Sequence, residues 1–319
     1  MIRSLSVLCV VALLAVLLAL ALGSVTVSPI DLIAVIQGEG NALHRTLLWE
    51  LRLPRTLAAF ATGGLLAVAG ALMQVLLRNP LADPYVLGLS GGAAVGALLA
   101  MLTGMGTLLI SGSAFAGAML ATVLVFGLAH GTGSWTPSRL LLTGVVVAAG
   151  WGAVITLMLA ITPSYKLPGM LYWLMGDVSY ARTPWPPLMV LALSIVLVLP
   201  LARNLNVLAR GPMQAAALGV SVRPLEWTIY ILASLLTATA VTTAGSIGFV
   251  GLIVPHMLRL VLGNDQRIIL PACALAGGTL LVLADTLART VIAPEQLPVG
   301  VITALLGVPT FLYLLHRSR

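Results

Sequence analysis

TLAAFATGGLLAVAGALMQVLL, residues 56–77, is a run of twenty-two residues without a charge. Coiled as a helix it spans about 33 Å, enough to cross a hydrocarbon core of roughly 30 Å. A barrel strand would instead alternate apolar and polar residues over about ten positions, and this run does not. Gly63, Gly64, Ala67, Gly70 and Ala71 give it a small face. In lipid no hydrophobic effect drives helices together, and small residues let backbones approach. The run is therefore expected at the centre of a helix bundle.

Nine further apolar runs flank it, at about 5–23, 86–103, 112–129, 139–161, 185–202, 225–243, 248–263, 268–287 and 299–316. Pro255 interrupts the eighth of the ten spans. Gly88, Gly91, Gly92 and Gly96 repeat the small face at the start of the third. Over all 319 residues, 60% are hydrophobic and 8% charged, against about 25% charged in a soluble domain. The mean hydropathy is +1.11. The fold class expected is all-α, a polytopic membrane protein of about ten transmembrane helices forming one transmembrane domain over residues 1–319. Arg3 followed by an apolar run to Leu22 imitates a secretory signal, but a retained first span suits a chain with so many later spans to orient. Cys9 and Cys273 lie in apolar runs and read as packing residues.

Basic residues favour the cytoplasmic side. With the N-terminus inside, ten arginines face the cytoplasm: Arg3, Arg78, Arg139, Arg203, Arg210, Arg223, Arg259, Arg267, Arg317 and Arg319. The outer side keeps Arg45, Arg52, Arg55, Lys166, Arg182 and Arg289. Both termini are thus expected in the cytoplasm.

The loops carry the candidate functional residues. LRLPR, residues 51–55, closes the first outer loop. Arg52 and Arg55 read either as interface anchors or as exposed guanidinium groups for the carboxylates of a docking protein, since the planar fork binds carboxylate bidentately. Arg289 is on the same side, but Asp285 four residues earlier allows an intrahelical pair that weakens its claim. The outer loop 162–184 holds Tyr165, Tyr172, Trp173 and Tyr180, with Trp185 just beyond. These are either an interfacial belt or a short helix roofing a pathway, with Tyr172 and Trp173 as outer-gate candidates. In the inner loop 203–224, Pro212 stands as a first helical residue and Gly219 as a stop. The short helix between them, led in by Gly211, presents Met213, Ala216, Ala217 and Leu218. An uncharged cytoplasmic helix too short to span implies a protein partner, or else a helix lying on the membrane surface.

Several function classes lose support. Lys166 is the only lysine, and no phosphate-binding loop surrounds it. The acids sit at span ends, which disfavours proton or sodium coupling. There is no H-E-x-x-H and no aspartate pair within a span. His44, His130, His256 and His316 all fall near span ends. No enzyme activity, metal site or cofactor is expected, and no nucleic-acid partner. Energy then comes from another subunit. An ion-coupled secondary transporter acting alone is the alternative, and an intramembrane enzyme a more distant one.

Six segments, in order, carry a family resemblance: LRLPRTLAAFATGGLLAVAGALMQ (51–74), RNPLADPYVLGLSGGAAVG (78–96), YWLMGDVS (172–179), LNVLARGPMQAAALGV (205–220), AGSIGFVGLIVPHMLR (244–259) and LPVGVITALLGVPTFLYLL (297–315). The chain resembles the FecCD-type permease subunits of type II ABC importers, which take up iron–siderophores, haem and cobalamin. The resemblance implies ten spans in the bacterial inner membrane, a second permease copy in a homodimer or an unlike pair, two cytoplasmic ATP-binding cassette subunits and a periplasmic substrate-binding protein. It also implies that Arg52, Arg55 and Arg289 face the binding protein, and that Gly211 to Val220 contacts the ATPase. Pro212 departs from the family, which often has an acidic residue after this glycine. The substrate stays open among haem, ferric siderophores and cobalamin.

Overall fold

A computed structural model describes residues 2–23, 27–129, 136–179, 181 and 183–317, and these are helical without a strand among them. His130, Tyr180, Arg182 and Arg319 lie outside the described residues. In chain order the helices are α1 (Ile2–Ala21), α2 (Pro29–Gln37), α3 (Ala42–Thr46), α4 (Leu53–Leu76), α5 (Leu89–Leu102), α6 (Thr107–Ala129), α7 (Pro137–Ile161) and α8 (Leu167–Met175). They continue with α9 (Trp185–Val198), α10 (Ala202–Leu208), α11 (Pro212–Ala217), α12 (Val222–Ala244), α13 (Val250–Leu262), α14 (Gln266–Thr290) and α15 (Val299–Arg317).

Each of the ten expected spans coincides with a helix: α1, α4, α5, α6, α7, α9, α12, α13, α14 and α15. Seven segments are long and apolar enough to cross a bilayer, while the apolar stretches of α5, α13 and α15 fall short of that length. The 14 residues of α5 reach only about 21 Å. Non-helical backbone before α5 and α13 is satisfied inside the protein, as membrane depth requires. The Tyr85 hydroxyl accepts from the Ile247 N–H at 3.2 Å. Gln74 on α4 donates to the Ala82 and Leu252 carbonyls at 3.3 and 3.2 Å, tying the turn after α4 to α13.

Helix α4 is central, as its small face predicts: almost every residue from Thr56 to Leu76 is buried. It packs on α14, α12 and α13, and α1 lies on α14. The close approaches are at glycine. A Cβ on Gly63 would collide with the Gly277 carbonyl of α14, and one on Gly277 with the Gly63 carbonyl. Pro255 does not end α13, which runs through it. Proline has no N–H for the carbonyl four residues back, here that of Gly251, and this oxygen packs against Gly70 of α4. Gly92 of α5 and Gly117 of α6 repeat the arrangement. Gly63→Leu should therefore force α4 from α14. Thermal unfolding in detergent is expected to show a loss at or above the roughly 1–3 kcal/mol usual for overpacking, whereas Gly112→Leu, facing open space, should be neutral.

Three local expectations need correction. LRLPR is not a loop: helix runs unbroken over Ala42–Leu76, 35 residues, with a π-helical turn at Leu47–Arg52. Pro54 cannot donate to the Glu50 carbonyl, and a wider turn immediately before it accommodates that loss. The first outer loop also holds two short helices, α2 and α3, where a loop was expected. Ser28 caps α2 through the Asp31 N–H at 3.1 Å, and Asn41 caps α3 through the Leu43 N–H at 3.2 Å. The inner loop 203–224 holds two short helices, α10 and α11, rather than one.

Candidate functional site

The two ends of the bundle carry different chemistry. At one end α4 brings Arg52 and Arg55 beside the end of α14. Arg55 donates through Nε and Nη2 to Asp285 at 2.8–3.1 Å, and through Nη1 to Gln296 Oε1 at 2.7 Å. Arg289 Nε lies 3.1 Å from Asp285 Oδ2, an ionic contact lacking hydrogen-bond angles, so the i,i+4 pair is formed. Its Nη2 donates to the Ala19 carbonyl of α1 at 3.2 Å. Arg52 donates to the Leu20 and Ala21 carbonyls at 2.7 and 3.1 Å. Those are last-turn carbonyls of α1, which have no partner within their own helix.

Of the two sequence readings of Arg52 and Arg55, interface anchors or exposed docking groups, the second needs free guanidinium groups. Arg52 and Arg289 are buried and Arg55 is nearly so. The physical cause is local: orphan carbonyls of α1 and the carboxylate of Asp285, 1% exposed, lie within reach and take up the donors. Spacing pairs Asp285 with Arg289 but does not join it to Arg55, 230 residues away. Asp177 extends the cluster. Its carboxylate is 3.9 Å from Arg55 Nη2 and accepts from the Ser179 N–H at 2.9 Å. Its own N–H donates to the Ala244 carbonyl at 2.8 Å. The arginine cluster is thus tied to the segment leaving α8.

The outer loop 162–184 does contain a short helix, α8. Its two aromatic candidates separate. Trp173 is buried against Met158, Met170 and Ala94, while Tyr172 is exposed. Gly245 passes so close to the Trp173 carbonyl that a Cβ would collide there. A cavity of about 430 Å³ beside α8 is lined by Met101, Met105, Lys166, Trp173 and Thr242.

At the opposite end, Pro212 opens α11, as its sequence position predicts, and Gly219 follows it with φ +80°. Gly211 precedes it at φ +124°, a conformation that glycine takes without strain. Ala215 is buried in the core, while Met213 and Leu218 are 86% and 69% exposed. Ala216, Ala217 and Gly219 are exposed with them. The helix is seated by one alanine and shows an uncharged face outward. Asn206 on α10 then joins this end to α14. Its Oδ1 accepts from the Gln266 N–H and its Nδ2 donates to Asp265 Oδ1, both at 2.8 Å. This side-chain bond, followed by the Arg267 N–H, holds the Asp265 carboxyl below the usual carboxylate range. The stability it supplies is complete above the unfolded value near about 3.9 and is lost as pH falls through the lower folded value. The tie is therefore intact at neutral pH.

Comparison with known proteins gives these features a context. The profile of the FecCD transport family matches residues 11–317. The hemin transport system permease protein HmuU of Yersinia pestis is 40% identical over 320 residues, covering 96% of this chain and 95% of that protein. The vitamin B12 import system permease protein BtuC of Citrobacter koseri is 39% identical over 322 residues, covering 100% and 95%. A solved inward-facing conformation of a metal-chelate type ABC transporter superposes with a TM-score of 0.88 at 29% identity, covering 99% of this chain and 100% of that one. Helices wound about α4, with a buried ion-pair cluster at one end and a bare short helix at the other, are the permease domain of an ABC transporter. The chain belongs to the FecCD transport family. It is a multi-pass inner-membrane subunit and not itself an enzyme, ATP hydrolysis belonging to a separate subunit.

Proposed function

We propose that two copies of this chain form the pathway of an ATP-driven importer for a haem, a ferric siderophore or cobalamin. A periplasmic binding protein delivers the substrate and two ATPase subunits dock below, with both termini on their side of the membrane. The observation that carries this reading is the run of α14 through the whole bundle. At one end it is tied by Asn206 to the segment bearing α11, and at the other it holds Asp285 and Arg289 in the arginine cluster. One continuous helix 25 residues long, with Pro271 inside it, spans about 37 Å at the usual rise and thus connects the proposed ATPase face to the proposed docking face.

In this reading Met213, Ala216, Ala217 and Leu218 seat in the ATPase, with Gly211, Pro212 and Gly219 shaping the helix ends. Motion there shifts the population between inward- and outward-open states. Arg55 is the arginine that meets a docking carboxylate, since it keeps some exposure. Arg52 and Arg289 act from behind it, holding α1 against α4 and α14. Helix α8 is the outer gate, anchored by Trp173 and presenting Tyr172. Relatives named for hemin and for vitamin B12 transport support the substrate range.

Reconstitution tests the proposal. Proteoliposomes holding this chain and its ATPase are expected to accumulate haem or cobalamin only with ATP on the ATPase side and the binding protein on the other. Uptake driven by an ion gradient alone would establish the secondary-transporter alternative instead. In the same assay Asn206→Leu should cut the α10–α14 tie. Transport should fall by about tenfold or more, an effect of about 1.4 kcal/mol per decade, while ATP hydrolysis continues.

A further inference from the structure

A cleft of about 630 Å³ opens at the α11 end, between the ends of α4 and α13, helix α10 and the start of α14. Arg78, Arg210 and Arg259 line it, with Asp265 the one acid of the lining. Arg259 is partly buried and held in place, donating to Gln74 Oε1 and to the Ala71 carbonyl. Among the described residues, none of the three arginines has a carboxylate within 4.0 Å. Arg259 is the partly desolvated one. A cation without a counterion at that distance is costly there, and an anion entering the cleft would remove that cost, while Glu226 acts on Arg78 from farther off. Gln266, 2% exposed, also lines the cleft, and its side-chain oxygen has no hydrogen-bond partner.

We propose that this cleft binds a phosphate ester carrying a free hydroxyl, as the headgroup of phosphatidylglycerol does. The phosphate oxygens accept from Arg259 and Arg78, and the hydroxyl donates to Gln266 Oε1, which is closed to solvent and is brought to the cleft by a turn of the Gln266 amide. A plain carboxylate or sulfate would satisfy the arginines and leave Gln266 without a donor. Leu260 and Val261, 64% and 77% exposed, continue α13 beside Arg259 as an apolar flank for an acyl chain. That favours a lipid over a soluble ester. Basic pockets between spans on the cytoplasmic side are established lipid-headgroup sites in general, and the positive-inside bias puts this one in that leaflet. The site is independent of which chelate the transporter carries.

The test uses the full chain in nanodiscs of phosphatidylcholine with or without phosphatidylglycerol, read by native mass spectrometry and by thermal unfolding. Retained phosphatidylglycerol and a raised Tm are expected, with retention at least tenfold weaker in Arg259→Gln and Arg78→Gln and weaker in Gln266→Leu. Arg78 is exposed, so Arg78→Gln decides the matter if Arg259→Gln fails to fold. Equal retention by Arg78→Gln and wild type would overturn the assignment, and so would no retention by either. A separate arm adds soluble glycerol 3-phosphate. Stabilisation by it alone, lost in the variants, would keep the phosphate site and overturn the lipid as its source.

Discussion

Asp285→Ala is expected to destabilise this protein by about 3–5 kcal/mol, the range for breaking a buried ion pair from one side. Asp285 is held between two guanidinium groups, Arg55 at 2.8 Å and Arg289 at 3.1 Å. Removing it leaves both cations in place, with Asp177 the nearest remaining carboxylate, 3.9 Å from Arg55. Repulsion between the arginines adds to the uncompensated burial. Asp285→Asn keeps the shape and an accepting oxygen, so its loss should be smaller. The decisive comparison is a triple variant, Asp285→Ala with Arg55→Leu and Arg289→Leu. Apolar replacement of a whole buried charge cluster is often neutral or stabilising, so most of the lost stability should return. Thermal unfolding in detergent at fixed lipid content measures all three. A triple variant no more stable than Asp285→Ala would show that packing, not charge compensation, sets the cost. Charge reversal at Arg55 is a poor probe of docking for the same reason, because it would set a carboxylate against Asp285.

Ala216→Arg should abolish transport, by a hundredfold or more, and leave the fold intact. That drop corresponds to about 2.7 kcal/mol of lost coupling. Ala216 lies on the exposed side of α11 beside Met213 and Leu218, so the new side chain has room in the isolated subunit and, under the proposal that α11 seats in the ATPase, none in the complex. Ala215→Arg is the contrast. Ala215 is fully buried in the core, so its replacement should lower Tm before any question of docking arises. Co-purification of the ATPase, its hydrolysis rate and substrate uptake separate the two variants. Full uptake by Ala216→Arg at normal Tm would remove α11 from the coupling interface.

Most of the architecture was legible residue by residue. The uncharged run at 56–77 announced a central helix, and its glycines are where α4 touches α14 and α13. Pro212 and Gly219 marked the ends of α11 correctly. The arginine cluster was legible only in part. Asp285 and Arg289 could be paired from spacing alone, because i,i+4 neighbours share a helix face. Nothing local could show that Arg55 reaches Asp285 across 230 residues, or that Arg52 closes the end of α1. Likewise Asn206, an ordinary loop asparagine in the sequence, gained its meaning only from Asp265 and Gln266.

The sequence by itself determined that this chain crosses a bilayer many times, which helix is central and where the short inner helix begins and ends. Those features follow from length, hydropathy, side-chain size and the backbone limits of glycine and proline, all carried by neighbouring residues. Only the tertiary structure decided where the charges go. Arginines that read as interface anchors or as docking groups are turned inward, because distant segments fold to bring a carboxylate and helix-end carbonyls within 3 Å or so of them, and in a low-dielectric setting such donors take the nearest acceptor.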